Sequence, residues 1–204
     1  MEPKAFAVGV RAEHKQQMIG ISQYGEAADQ PPPADYRLVY NGENRSCYSF
    51  CMCPGGFVMP AASEEGGVVV NGMSNYARDG KNANAALIAQ VTRADFGSDS
   101  PLAGIEFQRK IERNAYIAGG KNYSAPIITV GDFLSGECKT EPSRVMPTYM
   151  EGNGVTLASP EIYLPNFVTA AIKNAITDFD KKIVGFADKS AILTGPETRT
   201  SAPI

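Results

Sequence analysis

Apolar positions change their period halfway along the chain. Residues 5–13 (AFAVGVRAE) alternate closely enough for a strand, and residues 35–40 place Tyr36, Leu38 and Tyr40 on one face of a second. Between them, a short helix runs from Lys15 through Gly20 and closes near Tyr24-Gly25, and Gln30-Pro31-Pro32-Pro33 makes a stiff extended break. Asn41-Gly42 turns the chain into a strand over 46–53, and short strands follow at 57–62 and 68–71. The turn signals Pro54-Gly55-Gly56, Glu65-Gly66-Gly67, Asn71-Gly72 and Asp79-Gly80 cut this region into a β meander. Glycines in such number let backbone approach a flat ligand ring closely. Residues 85–92 are ambiguous: alanine favours helix, whereas their place after the meander favours strand.

From residue 100 the period becomes helical. Ser100 serves as N-cap and Pro101 as the first helical residue. Ala103, Phe107, Ile111 and Ala115 form an apolar stripe, with Glu106 and Lys110 paired beside it and Gly119-Gly120 ending the helix. Residues 125–130 are a short apolar run, and 137–154 have no period and read as loop. Pro165 opens a second helix whose buried face carries Val168, Ile172, Ala175, Ile176, Phe179 and Ile183. Lys181 and Lys182 fall in its last turn and Gly185 stops it. The pattern predicts an α+β fold: a mostly antiparallel sheet or small barrel from 1–97, a helical layer from 98–190, and a return strand in 191–204.

Composition narrows the function classes. Of 204 residues, 43% are hydrophobic and 20% charged, as in ordinary globular domains, and the formal charge of -3 gives no electrostatic case for nucleic acid or an anionic membrane. No apolar run approaches the roughly 20 residues that span a bilayer, and the N-terminus lacks an export-signal pattern. Cys47, Cys51 and Cys53 fall on one face of a strand, where a Cys51–Cys53 bridge would be strained. Reduced thiols, three small side chains packed on a sheet, and a cytoplasmic location are expected. No metal is expected, because His14 is the only histidine and lies far from the cysteines in sequence. His14 is assigned no role.

Five stretches carry a resemblance. They are FAVGVRAEH (6–14), CMCPGGFVMPAASEEGGVVVNGMSNYARDGKNANAAL (51–87), PLAGIEFQRK (101–110), VGDFL (130–134) and TGPETRTS (194–201). In this order, over nearly the whole chain, they resemble a family of bacterial FAD-dependent dehydrogenases. The resemblance implies that residues 1–204 are the inserted, non-Rossmann domain of a larger flavoprotein, without its N-terminal dinucleotide-binding half or its C-terminal flavin-closing segment. The domain would cap the flavin and form the pocket for a small-molecule substrate, with the FAD domain of the same parent chain as its partner. FAD would belong to the parent and not be retained by this fragment. The alternative is a non-catalytic binding or interaction module, which would lack the concave, glycine-lined face of a flavin cap.

Candidate cofactor contacts follow, with no catalytic residue assigned. Gly55 and Gly56 allow close backbone approach. Ser74 and Arg78 lie in a polar cluster after a hairpin, where Arg78 suits a carboxylate or phosphate, or else a local bridge to Asp79 or Glu64. By resemblance, Arg199 and Thr200 lead back towards the FAD domain. IITVGD (127–132) matches the Gly-Asp end of a flavin-binding strand, but no GxGxxG precedes it, so the favoured reading makes Asp132 a helix N-cap.

Overall fold

The computed structural model describes residues 3–28, 32–150, 152 and 154–201. Gln30 and Pro31 of the proline break, and the end of the return segment from 202, lie outside them. The chain runs β1 (Phe6–Lys15), α1 (Gln16–Tyr24), β2 (Val39–Asn41), β3 (Ser46–Cys53), β4 (Gly56–Pro60), β5 (Val70–Ser74), β6 (Asn82–Val91), α2 (Ala103–Ala118), β7 (Ala125–Thr129), α3 (Val130–Ser135), β8 (Val155–Leu157), α4 (Asn166–Asp180) and β9 (Ile192–Glu197). Seven strands form an open sheet in the order β2-β3-β6-β1-β9-β7-β8, while β4 and β5 make a separate two-stranded ribbon. Pairing is antiparallel except between β7 and β8. The fold is therefore α+β with a mostly antiparallel sheet that does not close into a barrel. The return strand β9 sits inside the sheet, where it joins the two halves of the chain.

Strand alternation sorts the core. Ala83, Ala85, Leu87, Ala89 and Val91 of β6 join Val8, Val10 and Ala12 of β1 against the helices. The ambiguous 85–92 stretch is thus a strand: its alanines give α4 a smooth surface to pack on, and tertiary contact overrides their helix propensity. The α4 stripe Val168, Ile172, Ala175, Ile176 and Phe179, with Ile183 beyond it, is buried, as are Ala103, Ile111 and Ala115 of α2, while Phe107 is half-buried.

Several boundaries differ from expectation for local reasons. The Ser100 hydroxyl accepts from the Leu102 amide within a turn, so α2 begins at Ala103. Glu106 bonds Arg109, one turn away at 2.9 Å, rather than Lys110. Helix α4 ends at Asp180, Lys181 caps it, and Gly185 falls in the following turn at φ 94. Asp132 is not the N-cap of α3. Thr129 is, its hydroxyl accepting from the Asp132 amide at 3.2 Å. The Asp132 carboxylate instead collects the Lys139 amide (2.6 Å), the Thr140 amide (2.7 Å) and the Thr140 hydroxyl (2.7 Å). Led by the Lys139 amide, these donors hold the Asp132 carboxyl below its ordinary 3.8.

Two outcomes follow. Ile172→Ala should cost about 2–5 kcal/mol in urea unfolding, as for a buried large-to-alanine change, and Phe107→Ala less because part of its ring faces water. Asp132 has a depressed folded pKa, so its contribution to stability is full above its unfolded value of 3.8 and fades as pH falls through the lower folded one. Unfolding measured from neutral to acid pH should show Asp132→Asn less stable than wild type at neutrality, with the gap closing in acid.

Candidate functional site

On β1, Arg11 and Glu13 alternate with Val10 and Ala12, which sends both charges to the sheet face away from the helices. Arg11 is fully buried there, under the ribbon. Its Nε and Nη2 fork onto Glu197 of β9 at 2.6 and 2.9 Å. Its Nη1 donates to Asn84 of β6 (2.7 Å) and to the Cys51 carbonyl (3.1 Å), and Nη2 also reaches Asn71 of β5 (3.2 Å). Burial pushes the Glu197 carboxyl up, and Arg11 opposes that shift. Two residues along, buried Glu13 accepts from the Thr148 hydroxyl (2.6 Å), the Thr148 amide (3.2 Å) and Asn82 (3.1 Å). Burial pushes its carboxyl up as well. The Thr148 hydroxyl also accepts from the Val58 amide at 2.8 Å, tying β4 to the same face.

This node rearranges the cysteines. A register shift between Phe50 and Cys53, with Cys51 at φ 45, makes a bulge that turns the Cys51 carbonyl towards Arg11. The three thiols therefore do not share a face. Cys47 is buried on the helix side, Met52 packs against that same core after the bulge, Cys51 is exposed, and the Cys53 sulfur lies 3.8 Å from Arg11 on the opposite face. Burial pushes Cys47 up to about 12; it also raises Cys53, against the pull of Arg11.

The six expected contact residues separate into two groups. Gly55, Gly56, Ser74 and Arg78 meet where the ribbon joins the loop that follows it. Gly55 has φ 50, and a Cβ there would lie 1.9 Å from the Arg78 carbonyl oxygen; one on Gly56 would lie 2.4 Å from the Met73 oxygen. What comes close to these glycines in the structure is backbone of the same chain. The crossing is pinned by the Gly80 amide on the Gly55 carbonyl (3.1 Å) and by the Gly55 amide on Gln16 (2.7 Å). The Ser74 hydroxyl is committed to the Pro54 carbonyl at 2.7 Å. Arg78 is different. Its backbone is held at φ 51, its side chain is exposed, and the guanidinium has no hydrogen bond or ion pair among the described residues. Tyr76, two residues before, is fully exposed.

Arg199 and Thr200 belong to the second group. Arg199 forks onto buried Glu112 of α2 at 2.9 and 2.8 Å, beside the Thr198 hydroxyl at 2.6 Å. The Thr200 hydroxyl donates to the Ala7 carbonyl (2.7 Å) and accepts from the Ala7 amide (3.2 Å). Ala7 and Gln16 mark opposite ends of β1, about 30 Å apart at roughly 3.3 Å per residue, so the two groups are anchored at opposite ends of that strand. Clefts of about 540, 440 and 350 Å³ open elsewhere, and none is lined by Gly55 or Gly56.

The sequence assigns no role to Arg11, Glu13, Asn84 or Glu112, and places Glu197 only at the head of the polar segment that by resemblance leads back towards the FAD domain. Its available signal was the polar stripe of period two, Arg11/Glu13 and Asn82/Asn84, in strands otherwise apolar on both faces. Among the described residues no helix is long and apolar enough to cross a membrane.

The model for the C-terminal-domain-like part of FAD-dependent proteins matches residues 5–200. A protein of Clostridium beijerinckii, described only as uncharacterized, is 51% identical over 208 residues. That alignment takes in all of this chain but 39% of the relative's length. With a match running over nearly its whole length, the chain belongs to the family of FAD-dependent protein C-terminal-domain-like modules.

Proposed function

We propose that this chain is the substrate and cap domain of an FAD-dependent oxidoreductase of the dehydrogenase type, docked against the FAD domain of the same parent. One observation supports the reading most directly: Arg78 presents a guanidinium without a partner among the described residues, on a backbone fixed by the Gly55 crossing. A guanidinium on a fixed stretch of backbone, two residues after the exposed Tyr76, is suited to an acceptor outside the domain.

The described residues fit a flavin only in part. Helices α1, α2 and α4 follow Lys15, Leu102 and Pro165, with no glycine-rich loop to cradle a pyrophosphate. The dinucleotide would therefore be held by the parent's other domain, where the flavin, when bound, supplies the hydride chemistry. Arg78 would place positive charge and a planar pair of donors against the anionic edge of the reduced ring or the carboxylate of an acidic substrate. Ser74, Arg199 and Thr200 would act at one remove, since their polar groups hold Pro54, Glu112 and Ala7.

The test uses the full-length parent. Purified protein should carry a flavin absorbance band. Arg78→Ala should leave the melting temperature near wild type while lowering flavin affinity or turnover about 10- to 100-fold, the range for one charge-assisted hydrogen bond. Arg78→Lys should recover only part, lacking the planar fork. A colourless parent, or an alanine variant with wild-type flavin content and reduction rate, would overturn the proposal.

A further inference from the structure

The β4–β5 ribbon has two unlike faces. Val58 and Val70 point inward and are buried in the core, while Gly72, paired with Val58, lies against the Arg11 guanidinium. Phe57 and Met59 of β4 and Met73 of β5 take the alternate positions, so their side chains leave on the other face. Phe57 and Met73 stand directly opposite each other there. Phe57 and Met59 are half-buried, and Met73 is 46% exposed. The strands packed most closely on the ribbon, β1, β3, β6 and β9, all belong to the sheet beneath it.

More apolar side chains adjoin the ribbon. The Thr148 hydroxyl accepts from the Val58 amide at 2.8 Å and so lays its loop along β4. Met146 and Met150, two residues to either side, are 54% and 84% exposed. Tyr76, three residues after Met73, is exposed over its whole surface. Its loop is nonetheless pinned, by the Arg78 amide on the Asn75 carbonyl (3.0 Å) and the Gly80 amide on the Gly55 carbonyl. A solvated sheet face carries polar residues, and this one carries the reverse. Apolar side chains gathered on an open face mark an interaction surface. Methionine and tyrosine are the types that interfaces favour, the first for its adaptable shape and the second as a rigid anchor.

We infer that the outer face of the ribbon is the surface on which the rest of the parent polypeptide docks, through an apolar patch of its own. The length of that polypeptide argues for this occupant. The Clostridium beijerinckii relative is matched over only 39% of its length, so a body of protein larger than this domain is covalently joined to it. Covalent linkage raises the effective concentration of the partner, and a small apolar face then suffices to hold it. The face also leads directly into the loop of Arg78, so one partner covers the methionines and supplies the acceptor for the guanidinium. The inference rests on the reading above in taking the partner from the same parent, and adds the face through which the two parts meet.

Hydroxyl-radical footprinting read by mass spectrometry compares the full-length parent with the 204-residue chain. In the chain, Met73, Tyr76, Met146 and Met150 should label readily at every protein concentration. In the parent they should lose most of that labelling, while Tyr24 and Ile162, exposed away from the ribbon, label alike in both. Met73→Glu in the parent should restore labelling of Tyr76, Met146 and Met150, because an unpaired carboxylate is costly to bury. Met73 is exposed in the chain, so the same change there should leave the melting temperature near wild type. Equal labelling of chain and parent, or a face that stays covered in Met73→Glu, would overturn the inference. So would protection of the isolated chain that grows with its concentration, which would give the face to a second copy. The readout needs no flavin. A colourless parent with the face protected would sink the flavin reading alone, and a flavin-bearing parent with the face open would sink this inference alone.

Discussion

The guanidinium of Arg11 commits its N–H donors to oxygens from four other strands. Glu197 belongs to β9, Asn84 to β6, Cys51 to β3 and Asn71 to the ribbon strand β5. Taking this pair out of water is costly, and such pairs add little net stability compared with apolar packing. Their effect is on uniqueness: a buried fork that loses any partner leaves a charge or a donor unsatisfied. The arrangement therefore fixes where each strand must lie. Gly72 follows from it, since a Cβ there would fall 2.0 Å from Nη1 of Arg11 and 2.3 Å from the Asn84 oxygen. So does the β3 bulge, which aims the Cys51 carbonyl inward.

From this node the structure runs outward to the surface. The ribbon is seated on the polar sheet face through Asn71 at one strand and through Val58, Thr148 and Glu13 at the other. With the ribbon fixed, the following loop must cross Gly55, and the crossing sets the backbone of Arg78. A second clamp, Glu112 with Thr198 and Arg199, holds the segment after β9 against α2, and Gln108 adds a bond to the Thr198 carbonyl at 2.6 Å. Among the candidate contact residues, Arg78 faces outward, whereas Ser74, Arg199 and Thr200 are committed to partners within the domain.

Much of the architecture was legible because it rests on period. The α4 stripe needs only helical spacing, and every residue of it is buried. The strand alternation at Tyr36 and Leu38 is likewise local, although pairing begins only at Val39. What escaped depends on partners far apart in sequence. Arg11 and Glu197 are 186 residues apart, and in a single strand Arg11 looks like an ordinary solvent-facing position. The bulge that splits the cysteines between faces has no cause within Ser46–Cys53, because its cause is Arg11. The glycines at 55 and 56 were recognisable as sites of close approach, but what approaches is the chain itself. Arg199 showed its fork-forming chemistry in the sequence, while its partner Glu112 sat hidden on the face of another helix.

Hydrogen exchange on Arg11→Lys tests the central claim most directly. Lysine keeps a positive charge for Glu197 but cannot also reach Asn71, Asn84 and the Cys51 carbonyl. If the guanidinium seats the ribbon, backbone amides of β4 and β5 should exchange about tenfold or more faster than in wild type, while the β1–β6 ladder keeps its protection. Unchanged protection in the ribbon would contradict the account.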